Sequence, residues 1–89
     1  MDYQVKVPLK VQREIKKKLD KYLQKRMDKK MQKLKKNPKT FGKPLRFPLA
    51  GVWEIYFEKR WRVLYFIDEK NKIIQIIGLK HKDEMKHLF

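Results

Sequence analysis

The chain has no cysteine, so neither disulfides nor thiolate-bound zinc can contribute to its fold, and an intracellular protein is expected. Long apolar runs are missing too. No stretch approaches the roughly 18 residues that mark a membrane span, and the first residues lack the apolar core of a secretory signal. A soluble, cytoplasmic chain without membrane contact follows as an expectation. Glycine occupies only three positions and proline four. Neither occurs between Leu9 and Lys36, so nothing there forces a break in a helix. Acidic residues are scarce: 10 Asp and Glu face 25 Lys and Arg, a formal charge of +15 on 89 residues. That imbalance predicts attraction to polyanions, with nucleic acid the first candidate and an acidic protein the second. The length fits a single domain, residues 1–89, with one modest core, and no internal repeat divides it.

What is present centres on residues 42–81. Trp53, Ile55 and Phe57 alternate with Glu54, Tyr56 and Glu58, the period of two that defines an amphipathic strand. Trp61, Val63, Tyr65 and Ile67 likewise alternate with Arg60, Arg62, Leu64 and Phe66, and Asp68–Lys72 reads as a tight connection. The run Ile73–Lys80 is nearly all apolar and predicts the most buried strand. The same parity carried from Gln75 places His81 on the polar face with Glu54, Tyr56 and Arg62.

Before this meander, Tyr3, Val5 and Val7 mark a short strand that Pro8 ends while opening a helix. Val11, Ile15, Leu19, Leu23, Met27, Met31 and Leu34 then recur every three or four residues. One unbroken helix of this length would be about 42 Å long and would overhang so small a sheet. Asp20 after Leu19 suits an N-cap, so a hairpin of Leu9–Lys18 and Lys21–Lys36 is expected. Asn37-Pro38 stops the second helix. Lys39–Pro48 reads as an irregular surface connection, and Lys82–Phe89 as a short terminal helix or tail with Met85, Leu88 and Phe89 on its apolar side. The fold class is therefore α+β: a small antiparallel sheet, N-terminal strand plus three-strand meander, packed on a two-helix hairpin.

Gly42-Lys43-Pro44-Leu45, then Leu49-x-Gly51-x-Trp53, then Arg62-Val63-Leu64-Tyr65, then a strand ending near His81-x-Asp83, resembles the RelE/ParE superfamily of toxins from type II toxin–antitoxin pairs. The order of elements agrees over essentially the whole chain. Members similar to RelE, YoeB and YafQ are ribosome-dependent endoribonucleases that cut messenger RNA, each neutralised by an antitoxin encoded beside it; ParE-type members share the fold and poison gyrase instead. The resemblance implies that Arg62 holds the scissile phosphate, that His81 takes part in proton transfer, and that Met85 stands where relatives stack an aromatic on a base. RelE has lysines at the positions aligned with Glu54 and Tyr56. Glu54 is then a base of another type, or the chain is catalytically weak, or its target differs.

Cleavage of RNA without metal or cofactor requires a base for the 2′-hydroxyl proton, cations for the charge on the phosphorane, and an acid for the leaving 5′-oxygen. Histidine titrates near neutrality and suits either proton role, which makes His81 a candidate beside a plain surface position. Arg62 offers a phosphate a bidentate fork, the alternative being a cross-strand salt bridge to Glu54 or Glu58. Glu54 is a candidate base or such an ion-pair partner, and Tyr56 a stacking platform or packing residue. Lys43, Arg46, Lys59, Arg60, Lys80 and Lys82 would extend a positive field around them. Residues 10–36 carry 13 Lys and Arg against Glu14, Asp20 and Asp28, more than i,i+4 pairing can offset. A ribosomal RNA contact surface is expected there, with a lysine-rich exterior as the alternative. The partners so implied are messenger and ribosomal RNA and an acidic antitoxin; a basic RNA-binding domain without catalysis is the remaining reading.

Overall fold

The computed structural model describes residues 2–46 and 49–86. Phe47 and Pro48 of the expected connection, and Leu88 and Phe89 of the expected terminal apolar side, lie outside them. The elements are β1 (Gln4–Lys6), α1 (Leu9–Lys18), α2 (Lys21–Lys36), α3 (Pro38–Phe41), β2 (Lys43–Pro44), β3 (Trp53–Phe57), β4 (Trp61–Asp68), β5 (Ile73–His81) and α4 (Lys82–Met85).

The helical hairpin breaks where the sequence places its cap. Asp20 is extended, and its carboxylate accepts a 2.8 Å hydrogen bond from the Leu23 N–H, satisfying a donor that the first turn of α2 would leave orphaned. The apolar stripes of the two helices, Val11, Leu19, Met27 and Leu34, close on Ile55, Phe57, Val63, Tyr65, Ile74, Ile76 and Leu79 from one face of the sheet. Helices and sheet thus bury each other's apolar side, as the sequence implies.

The sheet has five strands in the order β1-β5-β4-β3-β2, and two details differ from expectation. β1 runs parallel to β5, with Val5 opposite Ile74, so the sheet is mixed rather than wholly antiparallel. Three extended residues carry no local signal of strand direction. The connection after Asn37 is also more regular than its composition indicates. Pro38–Phe41 makes one helical turn with proline at its start, and Lys43–Pro44 pairs with Glu54 and Trp53 as an edge strand, where proline's missing donor is tolerated. Two residues are too few to show a period.

A buried hydroxyl holds this connection. Tyr65 is fully buried, and its hydroxyl donates a 2.7 Å bond to the Pro38 carbonyl. Burial pushes the phenol well above its ordinary range. Gly42 lies against it so closely that a Cβ there would sit 1.6 Å from the hydroxyl oxygen.

Two further ties fix the ends of the strands. The Glu69 carboxylate accepts from the Tyr3 hydroxyl at 2.9 Å and pairs with Lys39 and Lys72 at 3.1 and 3.2 Å. These contacts, the tyrosine bond foremost, pull its pKa down to about 2. The β4–β5 turn closes on Asp68, which accepts from both nitrogens of Asn71.

β5 carries a bulge. Leu64 faces Gly78 while the next residue, Tyr65, faces Ile76, so Ile77 has no cross-strand partner. An extra residue reverses the facing of everything beyond it. β1 covers only Ile73–Gln75 on the outer edge of β5. Beyond them α1 takes over: Glu14 accepts from the Leu79 N–H at 2.6 Å, and Lys18 donates to the Leu79 carbonyl at 2.9 Å. Side chains four apart on one helix face thus stand in for a strand at an edge that would otherwise be open.

Candidate functional site

The sheet face away from the helices carries a row of three directly opposed residues, Tyr56, Arg62 and Lys80, contributed by β3, β4 and β5. Beside it runs a second row, Lys43, Glu54, Leu64 and Gly78. Opposed side chains in a sheet stand about 5 Å apart and diagonal ones 7–8 Å, so these groups converge on an area the size of one nucleotide's phosphate and sugar.

Arg62 is held but not neutralised. Its guanidinium lies over the Tyr56 ring, 3.8 Å from the centroid, and one nitrogen donates to the carbonyls of Lys59 and Trp61 at 3.1 and 2.9 Å. Among the described residues it forms no ion pair: Glu58 instead pairs with Arg26 of α2, and Glu54 has no partner within salt-bridge distance. The alternative of a cross-strand salt bridge to Glu54 or Glu58 is thereby removed. A guanidinium offers five donors, and a fork fixed by an aromatic face and two carbonyls keeps donors for an anion at little cost in side-chain freedom. Lys43 stands over the same ring at 5.2 Å. Lys80 pairs loosely with Glu14 of α1 at 4.0 Å, so its ammonium, unlike the Arg62 guanidinium, is partly offset by a carboxylate.

His81 is not part of this group, contrary to its expected parity. The bulge at Ile77 sets Lys80 opposite Arg62 and His81 opposite Trp61. Trp61 packs against the core, and the imidazole meets its indole edge to face, centroids 5.4 Å apart. Its Nδ1 accepts from the Asp83 N–H at 3.2 Å, while Glu84 accepts from the His81 N–H at 3.0 Å, completing a capping box at the start of α4. That same bond, with Lys18 nearby, lowers the Glu84 pKa. His81 is therefore a helix cap: His81→Ala is expected to lower stability by about 1 kcal/mol and His81→Asn to keep most of it, as read by urea denaturation. Equal losses in both variants would remove the capping role.

Met85 lies on the apolar side of the terminal helix, as its sequence position predicts, and so does not take the stacking position that the resemblance implies. It is 8% exposed, packed inward as the buried residue of α4, and cannot stack on a base. Lys82 opens α4 at the surface, its N–H bonded to the Arg60 carbonyl at 2.7 Å. Lys59 and Arg60 are exposed in the β3–β4 turn and Arg46 in the loop after β2, flanking the rows without joining them. Phe66, 45% exposed, shares the open face and could offer a base an aromatic surface; its alternation with Arg62 is visible in the sequence. Among the described residues no three His, Asp or Glu lie close enough to hold a metal ion.

A helical hairpin covering one face of a small mixed sheet, with the other face open, is the architecture of RelE-type domains. Residues 11–86 match the family described as phage-derived protein Gp49-like (DUF891). The chain belongs to that family and, with it, to the RelE/ParE superfamily. Among solved structures it is similar to the toxin–antitoxin complex RelBE2 of Mycobacterium tuberculosis, at 27% identity over 92% of this chain and 100% of that one, TM-score 0.79. The archaeal RelE–RelB complex of Pyrococcus horikoshii OT3 matches at 24% identity over 92% and 97%, TM-score 0.71. An arginine double mutant of Escherichia coli toxin RelE in the free state matches at 18% identity over 99% and 90%, TM-score 0.73. At 24% and 18% identity, the latter two likenesses show the shared fold alone. A comparison with curated proteins finds no match.

Proposed function

We propose that this chain is the toxin of a type II toxin–antitoxin pair and acts as a ribosome-dependent endoribonuclease on messenger RNA in the cytoplasm. The observation that carries the reading is Arg62: a partly covered cation, fixed on Tyr56, with no carboxylate partner among the described residues and with Lys80 opposite it. In this reading Arg62 grips the non-bridging oxygens of the scissile phosphate and stabilises the phosphorane as its charge develops. Glu54, two residues from Tyr56 on the same face, accepts the 2′-hydroxyl proton. The ammonium of Lys80 protonates the departing 5′-oxygen, which leaves a cyclic phosphate and a free 5′-hydroxyl. His81 is left out of the reaction.

The antitoxin reading rests on a second feature. A cavity of about 290 Å³ opens between α1 and α2, lined by Val11, Ile15, Met27 and Met31 and floored by Ile76 and Leu79. Such an apolar groove between basic helices suits an amphipathic segment of an acidic antitoxin, and two of the similar structures are themselves toxin–antitoxin complexes.

Controlled expression followed by mapping of transcript 5′ ends tests the activity. Cuts within translated codons that persist in His81→Asn support it. Growth arrest with intact transcripts and altered plasmid supercoiling would replace it with gyrase poisoning, a reading to which the non-cationic Glu54 and Tyr56 lend weight.

A further inference from the structure

A second concave surface lies outside the rows just described. Between α2 and the β3–β4 hairpin is a groove of about 450 Å³ lined by Arg26, Lys29, Lys30, Lys33 and Lys59, with Tyr56 in its wall. β2 pairs only with Trp53 and Glu54, so the rest of β3 has no strand partner on its outer edge, and α2 presents cations to it. The four α2 side chains recur at spacings of three and four, which puts them on one helix face. From Arg26 to Lys33 they span about 10 Å along the helix, a continuous cationic edge for a polyanion. Because Tyr56 belongs both to this wall and to the platform beneath Arg62, the groove runs into the open face.

We propose that the groove between α2 and the β3–β4 hairpin holds the backbone of single-stranded RNA flanking the cleaved phosphate, and that Glu58 competes with the RNA for Arg26. The choice of RNA rests on the nuclease reading above; the groove's charge and shape do not depend on it. A cationic channel with an aromatic in its wall is what tracks a single strand without reading its sequence. An acidic protein segment would also need apolar side chains buried, and here the residue besides Tyr56 that could receive them, Phe57, is itself 2% exposed. Glu58 pairs with the Arg26 guanidinium within the groove, where a phosphate oxygen would otherwise bind, so it weakens RNA binding and sets an upper limit on nonspecific affinity.

The test is fluorescence anisotropy of the full chain with a labelled 12-nucleotide 2′-O-methyl RNA, which lacks the nucleophile and cannot be cut, across a range of NaCl concentrations. Single-strand contacts contribute about 0.7 each to the salt slope. The triple variant Lys29→Gln/Lys30→Gln/Lys33→Gln is therefore expected to lower the slope by about 2 and to bind about 100-fold more weakly at 0.1 M salt. Lys29→Arg/Lys30→Arg/Lys33→Arg should keep the affinity, which separates charge from folding, and Glu58→Gln should tighten binding about fivefold. If the glutamine variant keeps the wild-type affinity and slope, the groove proposal is overturned even where ribosomal cleavage is intact. It is equally overturned if that variant loses binding only to a labelled poly-glutamate peptide, which would assign the groove to a protein. If the variant loses the oligonucleotide while the wild-type chain cuts nothing on ribosomes, the groove stands and the nuclease reading fails.

Discussion

If the chain is the proposed nuclease, replacing Arg62 by alanine is expected to reduce codon-bound cleavage by about 10²- to 10³-fold, the range found when one preorganised donor to a developing oxyanion is removed, and to relieve growth arrest. The reason is geometric. Its guanidinium is already positioned by the Tyr56 ring and by the carbonyls of Lys59 and Trp61, so no reorganisation is needed when charge moves onto the phosphorane. Arg62→Lys should recover only part of the rate, because an ammonium supplies a point charge in place of the two-pronged fork. Neither change should alter the melting temperature by much, since the bonds lost are one to the exposed Lys59 carbonyl and one to the partly buried Trp61 carbonyl, and no ion pair among the described residues is broken. His81→Asn serves as the contrasting case: it keeps a cap at the start of α4, leaves the Arg62 row untouched, and should cut like wild type. An Arg62→Ala protein cutting within threefold of wild type would remove the proposed chemistry.

Gly42→Ala is expected to cost about 3 kcal/mol of stability, combining overpacking with the displacement of a buried hydrogen bond. In a domain of this size that corresponds to a fall of roughly 15 °C in melting temperature. A Cβ at Gly42 would lie 1.6 Å from the Tyr65 hydroxyl and 2.8 Å from the ring carbon that bears it, with the Glu54 carbonyl 3.1 Å away. Tyr65 cannot retreat, being fully buried and bonded to the Pro38 carbonyl. Tyr65→Phe alone should cost about 1–2 kcal/mol, because that carbonyl is left without its donor. The double variant should be more stable than the sum of the two losses implies, since removing the hydroxyl relieves the worst overlap, and a double-mutant cycle reads this coupling directly. Thermal melts of all four proteins measure it. A Gly42→Ala chain melting within two degrees of wild type would mean that the connection from α3 to β2 yields freely. The activity should follow, because this connection carries Lys43 to its place over Tyr56.

Much of the domain can be read from local chemistry. The helical hairpin and its break at Asp20, the three-strand meander, and the faces assigned to Glu54, Tyr56 and Arg62 all appear in the structure as the sequence implies. Each rests on a signal confined to a few residues: a 3.6-residue period, a capping side chain, a two-residue alternation. The site was less legible. The parity carried from Gln75 fails at one unpaired residue, Ile77, and that single irregularity exchanges His81 for Lys80 beside Arg62. Gly78, a glycine inside an apolar strand, was the available sign of a bulge, though it does not say which residue is extruded.

By itself, then, the sequence determined which segments are helix or strand, which sides of them are apolar, and how strongly the chain is charged, because propensity, capping and periodicity act between near neighbours. The tertiary structure alone decided the parallel seating of β1, the pairing of β2, the bulge in β5, and the sealing of its edge by Glu14 and Lys18. Those depend on contacts between residues as far apart in the chain as Gln4 and Ile73, where register is set by how whole faces fit and not by any local preference.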